Sequence, residues 1–172
     1  MGNIYTIGYE GASISEFIDT LRDNGVNILL DVREYAVSRK KGFSKNMLRE
    51  NLENAGISYR HEKSLGSPKP IRNELYASKD YQRFFNDYDE YLNSQMELLH
   101  SLSEEITGDV ALMCFEKDVM TCHRKSVARE LKRITGSDVK HLIATRQQKG
   151  ELAHGRTSTK KNLHSCQSIS AT

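Results

Sequence analysis

From Cys114 to Arg124 the 172-residue chain reads Cys-Phe-Glu, five further residues, then Cys-His-Arg. Three chemistries suit these residue types. Two cysteines and a histidine are zinc donors. The gap between the cysteines is not a standard knuckle spacing, however. No second paired motif is present, and adjacent residues such as Cys122 and His123 rarely chelate one ion. The pattern predicts no metal and no cofactor. The second chemistry is nucleophilic. A helix beginning at Thr121 or Cys122 would lower the pKa of the Cys122 thiol, with His123 and Arg124 lowering it further. The third is anion binding, because Arg124, Lys125 and Ser126 in a first helical turn suit a phosphate or carboxylate. Cys114 by itself reads as a small core residue.

Further polar residues fall at the ends of apolar runs. Asp31 closes one such run and is costly to bury without a partner. Arg33, Arg39 and Arg124 are the candidate partners. Gly8 and Tyr9 come after the first run, and Tyr59 and His61 end the third. Two carboxylates in different environments can divide acid and base duties, so Asp31, Glu116 and His123 are the expected catalytic groups. Arg33, Arg39 and Arg124 would hold a phosphate. Tyr9 and Tyr59 would pack on a base or sugar, with Gly8, Ser38 and His61 completing the binding edge. Cys114 and Cys122 are expected to support the site, with a nucleophilic role second.

These residues need a scaffold, and the hydrophobic pattern supplies one. Ile4 to Ile7 is an apolar run ended by Gly8. Ser13-Ile14-Ser15-Glu16 has the form of a capping box, with Phe17, Ile18 and Leu21 after it at helical spacing. Val26 to Val32 is a second strand. Ser44 heads a helix with Met47, Leu48, Leu52 and Ala55 on one face, and Ile57-Ser58-Tyr59 opens a third strand. Ser64 to Pro70 has loop chemistry. A long helical stretch is expected from about Lys79 to Glu105, with a break, and its aromatic stripe reads as core packing. Val110 to Phe115 and Val139 to Ile143 complete the strands. The predicted fold is α/β: an open, mostly parallel sheet of about five strands flanked by helices, a Rossmann-like single domain over residues 1–143. In such sheets ligands bind beyond the carboxyl ends of the strands, where the polar residues above converge.

Composition narrows the partners. The chain has 25 basic and 23 acidic residues, a net charge of +2. From Ala144 onward Arg146, Lys149, Arg156, Lys160 and Lys161 face only Glu151, so residues 144–172 form a basic segment expected to be disordered. No run is long and apolar enough for a membrane span. Three cysteines argue against a disulfide framework and predict a reducing cytoplasm.

Thr6-Ile7-Gly8-Tyr9, Asp31-Val32-Arg33, Ser38-Arg39 with Gly42-Phe43-Ser44, Tyr59 with His61, Leu65-Gly66, and the Cys-Phe-Glu and Cys-His-Arg elements resemble the family catalogued as domain of unknown function 488. The likeness runs in order from about Ile4 to His141. Tyr9 stands where a histidine is common in that family, and Ser67 where a second glycine is common. The resemblance implies an α/β fold and a shared polar site, and brings no established reaction. Leu29 to Glu34, and Cys114 with the helix after it, are more weakly similar to rhodanese-like sulfurtransferases. That likeness implies sulfur transfer through Cys114, which Glu116 and Asp118 would oppose.

The expected function is enzymatic: hydrolysis of a glycosidic or phosphodiester bond in a nucleotide, DNA or RNA. The Ser38-to-Gly42 loop and the basic segment would add backbone contacts. The alternatives are a non-catalytic nucleotide- or nucleic-acid-binding module, and rhodanese-like sulfur transfer.

Overall fold

The computed structural model describes residues 2–144. The expectation for the basic segment falls almost wholly on residues 145–172, outside the described residues.

The five apolar runs become β1 (Ile4–Gly8), β2 (Ile28–Asp31), β3 (Ser58–His61), β4 (Val110–Cys114) and β5 (Val139–Ile143). They form one parallel sheet in the order β3-β2-β4-β1-β5. Side chains alternate between its faces. On one face Tyr5, Ile7, Leu29, Ala111 and Met113 pack against α1 (Ile14–Asp23) and α2 (Lys45–Glu53) through Phe17, Leu21, Leu48 and Leu52. On the other, Ile4, Leu30, Val110 and Leu112 meet residues of three later helices. The capping box at the start of α1 forms as expected: Ser13 Oγ accepts from the Glu16 amide, and Glu16 Oε2 accepts from the Ser13 amide.

The chain between β3 and β4 departs from expectation. Residues 69–78 form α3 (Lys69–Ser78), where loop chemistry dominates the start. Pro70 sits in its first turn, where a missing N–H removes no helical hydrogen bond. No residue of α3 is fully buried, so the apolar periodicity that marks a helix is weak there. Lys79 closes α3 in the left-handed region at φ 59°, and Asp80 then caps α4 (Tyr81–Asn93) by accepting from the Arg83 amide. The long helical stretch carries its expected break, at Ser94 and Gln95, which divides it into α4 and α5 (Met96–Glu105). Its stripe is core packing: Phe84, Tyr88, Leu92, Leu99 and Leu102 are all buried. The last helix, α6 (Arg124–Thr135), begins two or three residues later than expected, after a 3-10 turn at Val119–Thr121. Met47, expected inward, is exposed.

The connections reverse direction at the centre of the sheet. β1 to β2 and β2 to β3 step toward one edge across the α1 and α2 face. β4 to β5 steps toward the opposite edge across the α6 face. The reversal lies between the neighbouring carboxyl ends of β4 and β1, the topological switch point at which open α/β sheets bind ligands. Among the described residues no helix is long and apolar enough to cross a membrane.

Candidate functional site

The predicted edge separates into two clusters because strand side chains alternate. Asp31 pairs in register with Met113, and both face α1 and α2. Cys114, one residue further along β4, turns to the opposite face, where Tyr88 and α6 lie. Asp31 and Arg33 therefore do not join Glu116 and Arg124 in one group.

The first cluster is a closed knot. Arg33 Nε donates to Asp31 Oδ1 at 2.8 Å and Arg33 Nη2 to Asp31 Oδ2 at 2.6 Å, a bidentate pair. The Arg33 amide reaches Oδ1 at 3.1 Å, and the Tyr59 hydroxyl donates to Oδ2 at 2.7 Å. Arg33 Nη1 donates to Tyr9 Oη and to the Phe43 carbonyl. Tyr9 stacks on Phe43 with centroids 4.5 Å apart. His61 Nε2 donates to the Arg33 carbonyl at 2.8 Å. Asp31 is fully buried, and Arg33 nearly so. Burial and the Asp31 charge push the Tyr59 phenol up, so its hydroxyl remains a donor. Every charged group in this cluster has its partner inside the fold.

The second cluster forms around the end of β4. The Cys114 and Cys122 thiols lie 3.9 and 4.0 Å from His123 Nδ1. His123 Nε2 donates to the Val32 carbonyl at 2.8 Å, because a carbonyl only accepts, and this leaves Nδ1 facing the thiols. The His123 ring meets Tyr88 edge-on at 5.1 Å. Both thiols and the charge of His123 act on the Glu116 carboxylate. Burial raises its pKa, but the Cys114 thiol, the charge of His123 and the Cys122 thiol outweigh this, and the net position is below the usual carboxylate value. One of its oxygens, Oε2, is buried without a hydrogen-bond partner. Cys122 precedes α6 in extended conformation and is fully buried. Burial pushes its thiol well up, the reverse of the lowering expected from a helix end.

The loops leaving β1 and β4 are zipped together. The Tyr9 and Glu10 amides donate to the Cys114 and Phe115 carbonyls, and Glu10 Oε2 accepts from the Lys117 amide. A Cβ at Gly8 would overlap the Glu116 carbonyl, so Gly8 serves this close approach. Arg124 is fully buried and donates to the Glu116 and Lys117 carbonyls at 2.6 and 3.0 Å, fixing the loop from beneath. Ser38 Oγ accepts from the Lys40 amide, while Arg39 extends into solvent.

Beside this loop lies an open cleft of about 370 Å³ lined by Glu10, Lys117, Asp118, Arg124, His141 and the apolar Val119, Leu142 and Ile143. His141 holds Thr6 Oγ1 at 2.9 Å through Nδ1. Partial burial lowers its pKa, and the positive charges of Arg124 and Lys125 lower it further. In the cleft lining Glu10 and Asp118 stand against Lys117 and Arg124. Sequence reading missed Lys117 and His141. The available signal was Thr6, a hydroxyl inside the apolar first strand, which pairs in register with His141.

The family model described as "Domain of unknown function DUF488" matches residues 13–131. No curated protein and no solved structure matches the chain.

Proposed function

Since the chain belongs to the DUF488 family, whose description names no reaction, we propose from the site itself that it is an enzyme hydrolysing a glycosidic or phosphodiester bond in a nucleotide or nucleic-acid substrate. Glu116 is the acid–base group. The observation that carries this reading is the Glu116 carboxylate at the switch point, held below the usual carboxylate pKa and with Oε2 buried without a hydrogen-bond partner. A buried acceptor left open costs stability and is retained where a reaction uses it. The adjoining cleft offers Lys117 as a contact for a phosphate, with Glu10 and Asp118 also in its lining.

The working groups shift from those the sequence singles out. Arg33 spends its donors on Asp31, Tyr9 and the Phe43 carbonyl, and the Arg124 Nη atoms are taken by loop carbonyls while its Nε is buried without a partner. Phosphate contacts fall instead to Lys117 in the cleft and to exposed Arg39 with Lys40 on the neighbouring loop. His123 orients the thiols and the carboxylate. A reducing cytoplasm, which keeps Cys114 and Cys122 as thiols, belongs to the same reading.

Hydrolysis is tested on a panel of nucleotides and of single- and double-stranded DNA and RNA, with binding measured across salt concentration. Glu116→Gln is expected to retain binding and lose turnover by roughly 10²- to 10⁴-fold. Binding without turnover on any member would leave a nucleotide-binding module. Absence of binding at low salt would end the nucleic-acid reading. Thiosulfate-dependent sulfuration of cyanide, lost in Cys114→Ser, would favour sulfur transfer instead. The carboxylate beside Cys114 opposes the persulfide anion that this route needs.

A further inference from the structure

The geometry points to a metal site: Cys114 Sγ, Cys122 Sγ and His123 Nδ1 bind one zinc-class divalent cation, with its fourth position left open. The three donor atoms all lie within 4.8 Å of one another and are buried. In a tetrahedral zinc site with Zn–S of about 2.3 Å and Zn–N of about 2.0–2.1 Å, sulfur and nitrogen sit roughly 3.6 Å apart. The observed separations of 3.9 and 4.0 Å need to close by only a few tenths of an ångström.

The unusual gap and the adjacency of Cys122 and His123 argue against this site in the sequence, and the backbone removes these two of the three objections. The unusual gap is spanned by a loop that the 3-10 turn at Val119–Thr121 folds back and Arg124 clamps, returning Cys122 to the end of β4. Adjacent Cys122 and His123 converge because the backbone changes region between them. Cys122 is extended at φ −122° and ψ 136°, while His123 is helical at φ −57° and ψ −23°.

Two observations set the cluster apart from buried thiols that merely fill space. His123 donates its far nitrogen to the Val32 carbonyl, the outer hydrogen bond that fixes a metal-binding imidazole in the required tautomer. The Glu116 carboxylate interacts with both thiols and His123, and its Oε2 is buried without a hydrogen-bond partner. A cation held by these three donors would offset the negative charge of that carboxylate. Three protein donors with an open fourth position are the pattern of catalytic rather than structural zinc. Thiolate and imidazole donors select zinc over magnesium or calcium.

The test uses the full chain, purified under reducing conditions with neither chelator nor an affinity histidine tag. About one zinc per chain is expected by elemental mass spectrometry. Cobalt(II) added to the zinc-stripped protein should give thiolate-to-cobalt charge transfer and the intense visible bands of tetrahedral coordination. Cys122→Ser and His123→Ala should each weaken cobalt binding by at least about 10-fold. Cys166→Ser changes the remaining cysteine, which lies outside the described residues, and should leave the bands intact. If a variant fails to fold, the unaltered protein decides: a chelator should bleach the bands and lower the Tm. Absence of charge transfer, or bands that survive Cys122→Ser, would overturn the site. None of these readouts needs a substrate, so a failed metal site and a failed hydrolysis panel are told apart.

Discussion

The two faces of one sheet edge each hold a cluster centred on a carboxylate, with opposite bonding states. On the α1 and α2 face, Asp31, Arg33, Tyr59 and Tyr9 satisfy one another. On the α6 face, Glu116, Cys114, Cys122 and His123 leave a carboxylate oxygen open and direct a ring nitrogen at two thiols. Both are buried and both lie at strand ends, so burial and position do not distinguish scaffold from site. Satisfaction does. A saturated ion-pair knot has no donor left for a ligand, whereas the unsaturated cluster bears a cost that folding alone does not repay.

The largest effect expected from breaking this comparison is on stability. Asp31→Ala leaves the Arg33 guanidinium buried without its counter-charge and should cost about 3–5 kcal/mol in urea unfolding. A loss below about 1 kcal/mol would mean that Asp31 is not the anchor of the knot. Tyr59→Phe removes one donor but leaves the bidentate pair, so it should cost about 1.5 kcal/mol. A loss matching Asp31→Ala would shift the anchor to Tyr59.

The pH dependence sharpens the other side. His141 has a pKa below its ordinary value, so the folded chain binds this proton less readily than the unfolded chain. Its contribution to stability is present above the unfolded value of 6.5 and is lost as pH falls through the folded value. His141→Asn should flatten the acid side of a Tm–pH curve. An NMR titration should place the imidazole below 6.5, and inorganic phosphate in the cleft should raise it. A titration that phosphate leaves unchanged would remove the cleft as an anion site. The smallest effect belongs to Arg39, which is exposed. Arg39→Ala should change stability by less than about 0.5 kcal/mol while weakening any salt-dependent nucleic-acid binding.

Much of the fold is legible in the sequence, because its strands are short apolar runs and its first helix carries a complete capping box. All five strands fall where the runs place them. Helix α3 is hidden because it buries no whole side chain, whereas the break in the long helical stretch is anticipated and only its position, at the polar pair Ser94 and Gln95, comes from the structure. The candidate site is legible as an inventory of residues and not as an arrangement. Asp31 and Cys114 end adjacent strands, but an offset of one residue in register sends them to opposite faces. The start of α6 matters in the same way. Its shift to Arg124 takes Cys122 off the helix end and turns the thiol inward. The partners of Arg124 are backbone carbonyls, which no pattern of side chains announces.

The contrast between scaffold and site is tested most directly by urea unfolding of Glu116→Gln alongside Asp31→Ala. The open carboxylate predicts that Glu116→Gln unfolds within about 0.5 kcal/mol of the unaltered protein, or is more stable, as expected where a functional group is held at a cost to the fold. A loss of about 3 kcal/mol or more, comparable to Asp31→Ala, would contradict it and make Glu116 a second structural anchor.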